Sequence, residues 1–467
     1  MSGRLAALLA AQGLYLAIGA GLLPLLRIAR SREALSHRIG LAYILGIATT
    51  GALAANLALL DLSLGLAGLS VLAALSLAAG LIVARSWRTA DRRPRDTQHP
   101  ISRVVAATAS AALLVILAFA ARTFAVKPLT EWDGWAIWGL KARALYDFGG
   151  TTGPVFETYQ PVTHPIFLPA LEAVGHHAMG AYDATLIHVQ LIALAFGFAA
   201  AMWSLLGDRV PHGFVALGLL AILSATPVLN QLSSNLADIP LAFFSALGLV
   251  SLGRFLAARE TWTLVTATPF LGAAMLTKSE GLLFGLAAFA AAAAVLTAER
   301  DTRRLAHVGL SALAAVALLV PWRIFLAVHD LKNPEYSLSN GISPGYLADH
   351  ADRVSPAVSR LSHELWSGDW AQLVALALVS VAAGVLAACY GLAVFAALWL
   401  LLSFAGLVVI FWISVLPVEL TLTWTAGRVV DSLVVGSASL GLLLCGEAWR
   451  AVRATGNFPA ASGQSKA

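Results

Sequence analysis

The chain has 467 residues, 59% of them hydrophobic and only 12% charged, whereas about a quarter of a soluble domain's residues carry charge. This excludes an ordinary soluble enzyme and leaves an integral membrane protein, whose spans use about 20 residues each. The formal charge of +5 is not a nucleic-acid signal, because the positive residues are confined to particular loops.

Apolar runs in chain order predict spans at 5–26, 39–60, 62–84, 104–126, 184–206, 213–230, 236–256, 262–277, 281–298, 305–328, 371–389, 391–414 and 428–446, about 13 helices. Each is too long and too uniformly apolar for a barrel strand, which would alternate over about 10 residues. The expected fold class is therefore all-α and polytopic. The first run follows a single arginine without a convincing cleavage site and reads as a retained span. Residues 1–103 form three amino-terminal helices and a basic linker, 85–103, with Pro94 and Pro100. Residues 104–446 form the main body, and 447–467, rich in Ala, Gly and Ser, read as a disordered tail. Cys389 and Cys445 fall in apolar spans, where cysteine is usually a small hydrophobe.

Arg27, Arg30, Arg32 and Arg38 flank one junction, Arg85, Arg88, Arg92, Arg93, Arg95 and Arg103 a second, and Arg300, Arg303 and Arg304 a third. By the positive-inside rule these loops are cytoplasmic. Counting spans from them puts loops 127–183 and 329–370, in which acids outnumber bases, on the outer side, with 230–235, 278–280 and 415–427. Loops of that length are usually functional. In the first, Trp135–Phe148 has helical spacing with Lys141 and Arg143 between apolar residues, as in an amphipathic interfacial helix. Pro161, Pro165 and Pro169 precede a second expected interfacial helix, Ala170–Met179. Loop 329–370 carries Pro334, Pro344 and Pro356 and an expected helix near Ala357–Trp366.

Several polar groups stand where apolar residues would be cheaper. Asp133 lies in Glu131-Trp132-Asp133-Gly134-Trp135, among tryptophans, directly after a span. It is either a helix N-cap or a carboxylate held at the membrane surface for chemistry. Asp238, before Ile239-Pro240, opens the next outer helix pair and could equally be a cap. Lys278-Ser279-Glu280-Gly281 separates two apolar runs by a few residues. Its charges are either an ion pair that snorkels to water or a point charge for a lipid phosphate. Arg428 either anchors the last span or supplies a second cation. His164 lies in an outer loop, where a lone histidine is usually solvated, and His176 and His177 read as ordinary interfacial residues. No histidine pair has metal-ligand spacing, so no metal or cofactor is assigned and a divalent cation stays open. The sequence has no phosphate loop, dinucleotide fingerprint or nucleophile elbow, which argues against a nucleotide-driven pump.

The ordered set resembles the polytopic GT-C glycosyltransferases, in the bacterial branch similar to protein O-mannosyltransferases and aminoarabinose transferases. The matching elements are the Asp-Gly-Trp loop at Asp133, the segment His164–Pro169, Ala237-Asp238-Ile239-Pro240, Leu276-Thr277-Lys278-Ser279-Glu280-Gly281 and the late Arg428, covering roughly 104–430. The resemblance implies an inverting transferase of the bacterial inner membrane with an outward-facing site. Its donor would be a polyprenyl-phosphate-linked sugar and its acceptor a lipid, a glycan or a protein, with no nucleic acid involved. It implies that Asp133 is the general base and Asp238 the second acid, and that Lys278, Arg428 and His164 bind the donor phosphate. Glu131, Glu280, Lys141 and Trp135 would support them. The chain departs from the pattern in having three helices before the acidic loop and in separating Glu131 from Asp133 by Trp132. The competing expectation is a transporter or flippase of lipid-linked oligosaccharides, which would need polar groups lining a path through the bilayer.

Overall fold

The computed structural model describes residues 2–87, 100–124, 126–158, 163–333 and 335–454. It is an all-helical bundle with no strand among these residues, only an isolated bridge between Tyr336 and Ser414. Among the described residues ten helices are long and apolar enough to cross a membrane, or up to twelve if each of two bent pairs is one span. The remaining expected span, 262–277, is the helix Thr261–Thr277, whose 17 residues are short for a crossing. The runs 213–230 and 305–328 are not straight spans. They bend by 59° and 43° near Pro227 and Pro321, where proline lacks the N–H of an unbroken helix.

The amino-terminal helices are packed into the body. Gly19 and Gly46 let Ser2–Leu25 and Gly40–Ala58 touch backbone to backbone. A Cβ on Gly19 would lie 1.6 Å from the Ala42 carbonyl oxygen, and one on Gly46 1.8 Å from that of Tyr15. Such close approach drives helix association where lipid removes the hydrophobic contribution. Gly40–Ala58 in turn packs against Phe167–Met179 and Ile187–Leu206. The expected interfacial helix at 170–179 is therefore a correction. It begins at Phe167, all its residues but His177 are buried, and it is an internal helix wedged between the amino-terminal helices and the body.

At the centre lies Asp238–Ala258, buried at every position from Asp238 to Leu256 and packed against Thr261–Thr277 and Asp431–Ala454. Its two ends differ chemically. At the carboxyl end the buried Arg254 donates to Asp208 at 2.5 Å, to Glu260 at 2.9 Å and to the Leu205 carbonyl at 2.6 Å, and Trp262 lies between Arg254 and Arg38. Arg209 adds a 2.6 Å bond to Glu447. That bond fastens the last turns of Asp431–Ala454, so 447–454 is helical where a disordered tail was expected. Residues 455–467 lie outside the described residues, as do 88–99 of the basic linker and Pro161. At the amino end of the central helix is Asp238.

Candidate active site

Four turns and one helix converge on that end. The first turn carries Asp133, which precedes a π-helix, Gly134–Gly139, followed by Leu140–Phe148. π-Helical turns are rare and concentrate at functional sites. The cap reading of Asp133 fails: its side chain accepts no capping hydrogen bond and instead pairs with the Arg428 guanidinium. Arg428 is in the last turn of Val418–Val429, a helix that leads into the final span.

The second turn is Ser233–Asp238. Gly134 lies against it so closely that a Cβ would sit 1.9 Å from the Ser234 carbonyl oxygen. Lys127 donates to Ser233 at 2.8 Å, and Asn235, at φ 56° in the left-handed region, donates to the Gly134 carbonyl at 3.4 Å. Asn tolerates that conformation better than most residues. Replacing Gly134 with alanine is expected to separate the two turns. The turnover of the intact protein should fall by about tenfold to a hundredfold, as for a misplacement near 1 Å. Wild-type turnover in that variant would show that the approach is unimportant.

The third turn is Lys278, an extended residue between Thr261–Thr277 and Ser279–Ala298. Its ammonium is 2.7 Å from Asp238 and 3.1 Å from Glu280, with side chains of Lys278 and Asp238 only 8% and 4% exposed. Asp238 is therefore also not a cap, and the Lys278–Glu280 pair does not snorkel to water; it is folded inward around Asp238.

The fourth is the turn at His164. The ring of His164 stacks on Trp138 with centroids 5.4 Å apart, and Nδ1 lies 3.5 Å from the Ser279 hydroxyl. Burial, then the cations Lys141 and Lys278, hold its pKa well below the usual histidine range. His164 is therefore neutral at neutral pH and can offer a hydrogen bond but no charge to a phosphate. Lys141 is buried behind the turn, where it donates to the His164 carbonyl at 3.3 Å. Burial lowers its pKa to about 7.

These groups line one cavity of about 790 Å³, within the range of small-molecule sites. Of the residues expected from sequence, Glu131, Asp133, His164, Asp238, Lys278, Glu280 and Arg428 line it, and Lys141 and Trp135 do not. Trp135 is 50% exposed; the π-helical turn brings Trp138 to the interior instead. Part of the lining is apolar, contributed by Leu407, Ile410, Phe411, Leu416 and Val429, and Trp424, which also lines the cavity, is exposed.

Sequence reasoning missed Glu335 and Tyr336, which also line the cavity. They belong to a strap of the loop 329–370. The Glu335 carbonyl accepts from Val415 N–H at 2.8 Å and from the Ser414 hydroxyl at 3.1 Å. Burial, then the neighbouring Glu280, raises the Glu335 pKa, and the same causes push Tyr336 up to about 12. An acid beside an aromatic residue, as in Glu131-Trp132, was the available signal. Among the described residues no three His, Cys, Asp or Glu side chains are grouped as metal ligands.

The family model described as dolichyl-phosphate-mannose-protein mannosyltransferase matches residues 163–325. The matched segment carries His164, Asp238, Lys278 and Glu280; Asp133 and Arg428 lie outside it. No curated protein and no solved structure matches the chain. The family's description supports a membrane glycosyltransferase that draws on a lipid-linked donor. The resemblance read from the motifs thus has support over residues 163–325, where this polytopic all-α chain is similar to the dolichyl-phosphate-mannose-protein mannosyltransferases.

Proposed function

We propose that the protein transfers a sugar from a polyprenyl-phosphate-linked donor to an acceptor hydroxyl at the outer face of the bacterial inner membrane, with inversion at the anomeric carbon. The observation that carries this reading is the mixed lining of the cavity, in which cations and carboxylates share one space with an apolar stretch that includes Leu407, Ile410 and Phe411. An amphiphile with an anionic head and a hydrocarbon tail matches both kinds of lining.

In this reading Lys278 and Arg428 bind the donor phosphate, and His164 adds a neutral hydrogen bond. The acceptor oxygen attacks the anomeric carbon, and the bond from that carbon to the phosphate oxygen breaks with its electron pair moving to the phosphate. The acceptor proton passes to Asp133 as the new bond forms. The growing phosphate charge is met by Lys278, already in place, and by Arg428 once the bound donor has drawn it from Asp133. Asp238 and Glu280 aim the Lys278 ammonium. Arg428 must turn from Asp133 toward the phosphate, and the same movement frees the carboxylate.

Transport of an intact lipid-linked glycan is less well supported. The acids and cations of the cavity sit at one end of the bundle, while the opposite end of the central helix is closed by the Arg254 network.

The test is purified full-length protein in lipid vesicles supplied with polyprenyl-phosphate mannose carrying a labelled sugar. The expected result is release of polyprenyl phosphate together with label in an acceptor fraction. Movement of intact donor across the vesicle wall without cleavage would replace the transferase with a transporter.

A further inference from the structure

The final span begins with an acid outside the cavity lining. Asp431, fully buried, is the first residue of Asp431–Ala454 and lies three residues beyond Arg428, across the break that ends Val418–Val429. A carboxylate at a helix start is ordinarily a cap or a partner for the helix dipole. The oxygens of Asp431 are committed elsewhere. Oδ1 accepts from the Trp370 indole N–H at 3.0 Å, and Oδ2 accepts from the Gln231 side-chain amide. These donors lie 61 and 200 residues away along the chain.

Gln231 is the residue from which the Asp238 turn hangs. It lies in the last turn of Thr226–Leu232, and its carbonyl accepts from the backbone N–H of Ser234 at 3.1 Å and of Leu236 at 3.3 Å. Both belong to the turn Ser233–Asp238, whose Asp238 holds the Lys278 ammonium. Trp370 is in the first turn of Gly368–Leu386, next to Asp369, which accepts from the Thr226 N–H at 2.7 Å. Thr226–Leu232 is thus held at its start by Asp369 and at its end by Asp431. Asp431 thereby ties the segment that carries Arg428 to the turn that places Lys278.

The two cations come from distant parts of the chain, and one phosphate can use both only if their separation is fixed. We propose that Asp431, acting through Gln231, is a positioning residue that sets the separation of Arg428 and Lys278 so that both reach one donor phosphate. The role rests on the transferase reading and adds to it two residues that do not line the cavity.

The test uses the full-length protein in vesicles with polyprenyl-phosphate mannose and compares kcat/KM for the donor. Asp431→Leu leaves two buried donors without their acceptor and is expected to lower kcat/KM by about ten- to a hundredfold, the effect of a small misplacement. Asp431→Asn can keep both contacts, because the Gln231 amide oxygen, buried and without a partner among the described residues, can turn toward the new amide. That variant is expected to stay within about threefold of wild type. Arg428→Met already lacks one cation and should lose about a hundredfold. Adding Asp431→Leu to it should cost no more than about threefold further, because residues that act as a unit are not additive. A merely structural acid would instead multiply the two losses. Gln231→Leu cuts the same link from the other side and should lose about tenfold alone and little on the Arg428→Met background. It keeps the test decisive if the leucine at 431 prevents folding. Wild-type kcat/KM in both leucine variants overturns the proposal. So do losses that multiply with that of Arg428→Met, or an asparagine variant as impaired as the leucine one. Wild-type protein that transfers no sugar defeats the transferase reading itself, and the positioning role with it.

Discussion

Asp133→Asn is expected to lower kcat for sugar transfer by about a thousandfold, within the range of 10²–10⁴ for loss of a positioned general base. The substitution is isosteric, and the asparagine carbonyl can still accept from Arg428, so expression and melting temperature should stay near wild type. The donor KM should change little, because the amide removes a charge that competes for Arg428 and leaves Lys278 untouched. The measurement is the initial rate at saturating donor, with a thermal melt in detergent on the same preparation. A rate within tenfold of wild type would move the proton acceptor elsewhere in the cavity, with Glu335 the first alternative to substitute.

The second large effect is expected at Lys278. Its ammonium and the Asp238 carboxylate are both almost fully removed from water. Removing one partner of such a pair typically costs about 3–5 kcal/mol, because the remaining charge is stranded. Lys278→Met alone should therefore both melt earlier and lose donor binding, two effects that a single variant cannot separate. Adding Asp238→Asn removes the stranded charge. The double variant should regain most of the melting temperature while still binding polyprenyl phosphate about a hundredfold more weakly than wild type, since a desolvated charge-assisted contact is gone. Recovery of binding together with stability would show that Lys278 is a structural cation only.

The fold was legible because hydropathy is a local property of the chain, and every expected run corresponds to a helix or a proline-bent pair of helices. The acids and cations of the cavity were legible for a related reason: a charge next to twenty apolar residues is conspicuous. Glu335 was not, because loop 329–370 also carries Asp330, Asp349, Asp352, Glu364 and Asp369, and the adjacent Tyr336 was its one local signal. Trp135 was expected to support the site and lies outside it, while Trp138, three residues on in the π-helical turn Gly134–Gly139, lines the cavity. The cap readings of Asp133 and Asp238 failed for want of one fact, the identity of their partners. Those partners are 295 and 40 residues away along the chain.

That first separation bears on how the molecule is made. Asp133 leaves the ribosome 295 residues ahead of Arg428, which at about 5–20 residues per second is an interval on the order of 15–60 s. For that time the acidic turn is in or near the translocation machinery without its guanidinium. Lys278 reaches Asp238 much sooner. The half of the site built on the central helix is thus finished early in synthesis, and the half containing Asp133 waits for the final spans, so a chain cut short before Arg428 would hold Lys278 in place and still be without the pair that completes the cavity.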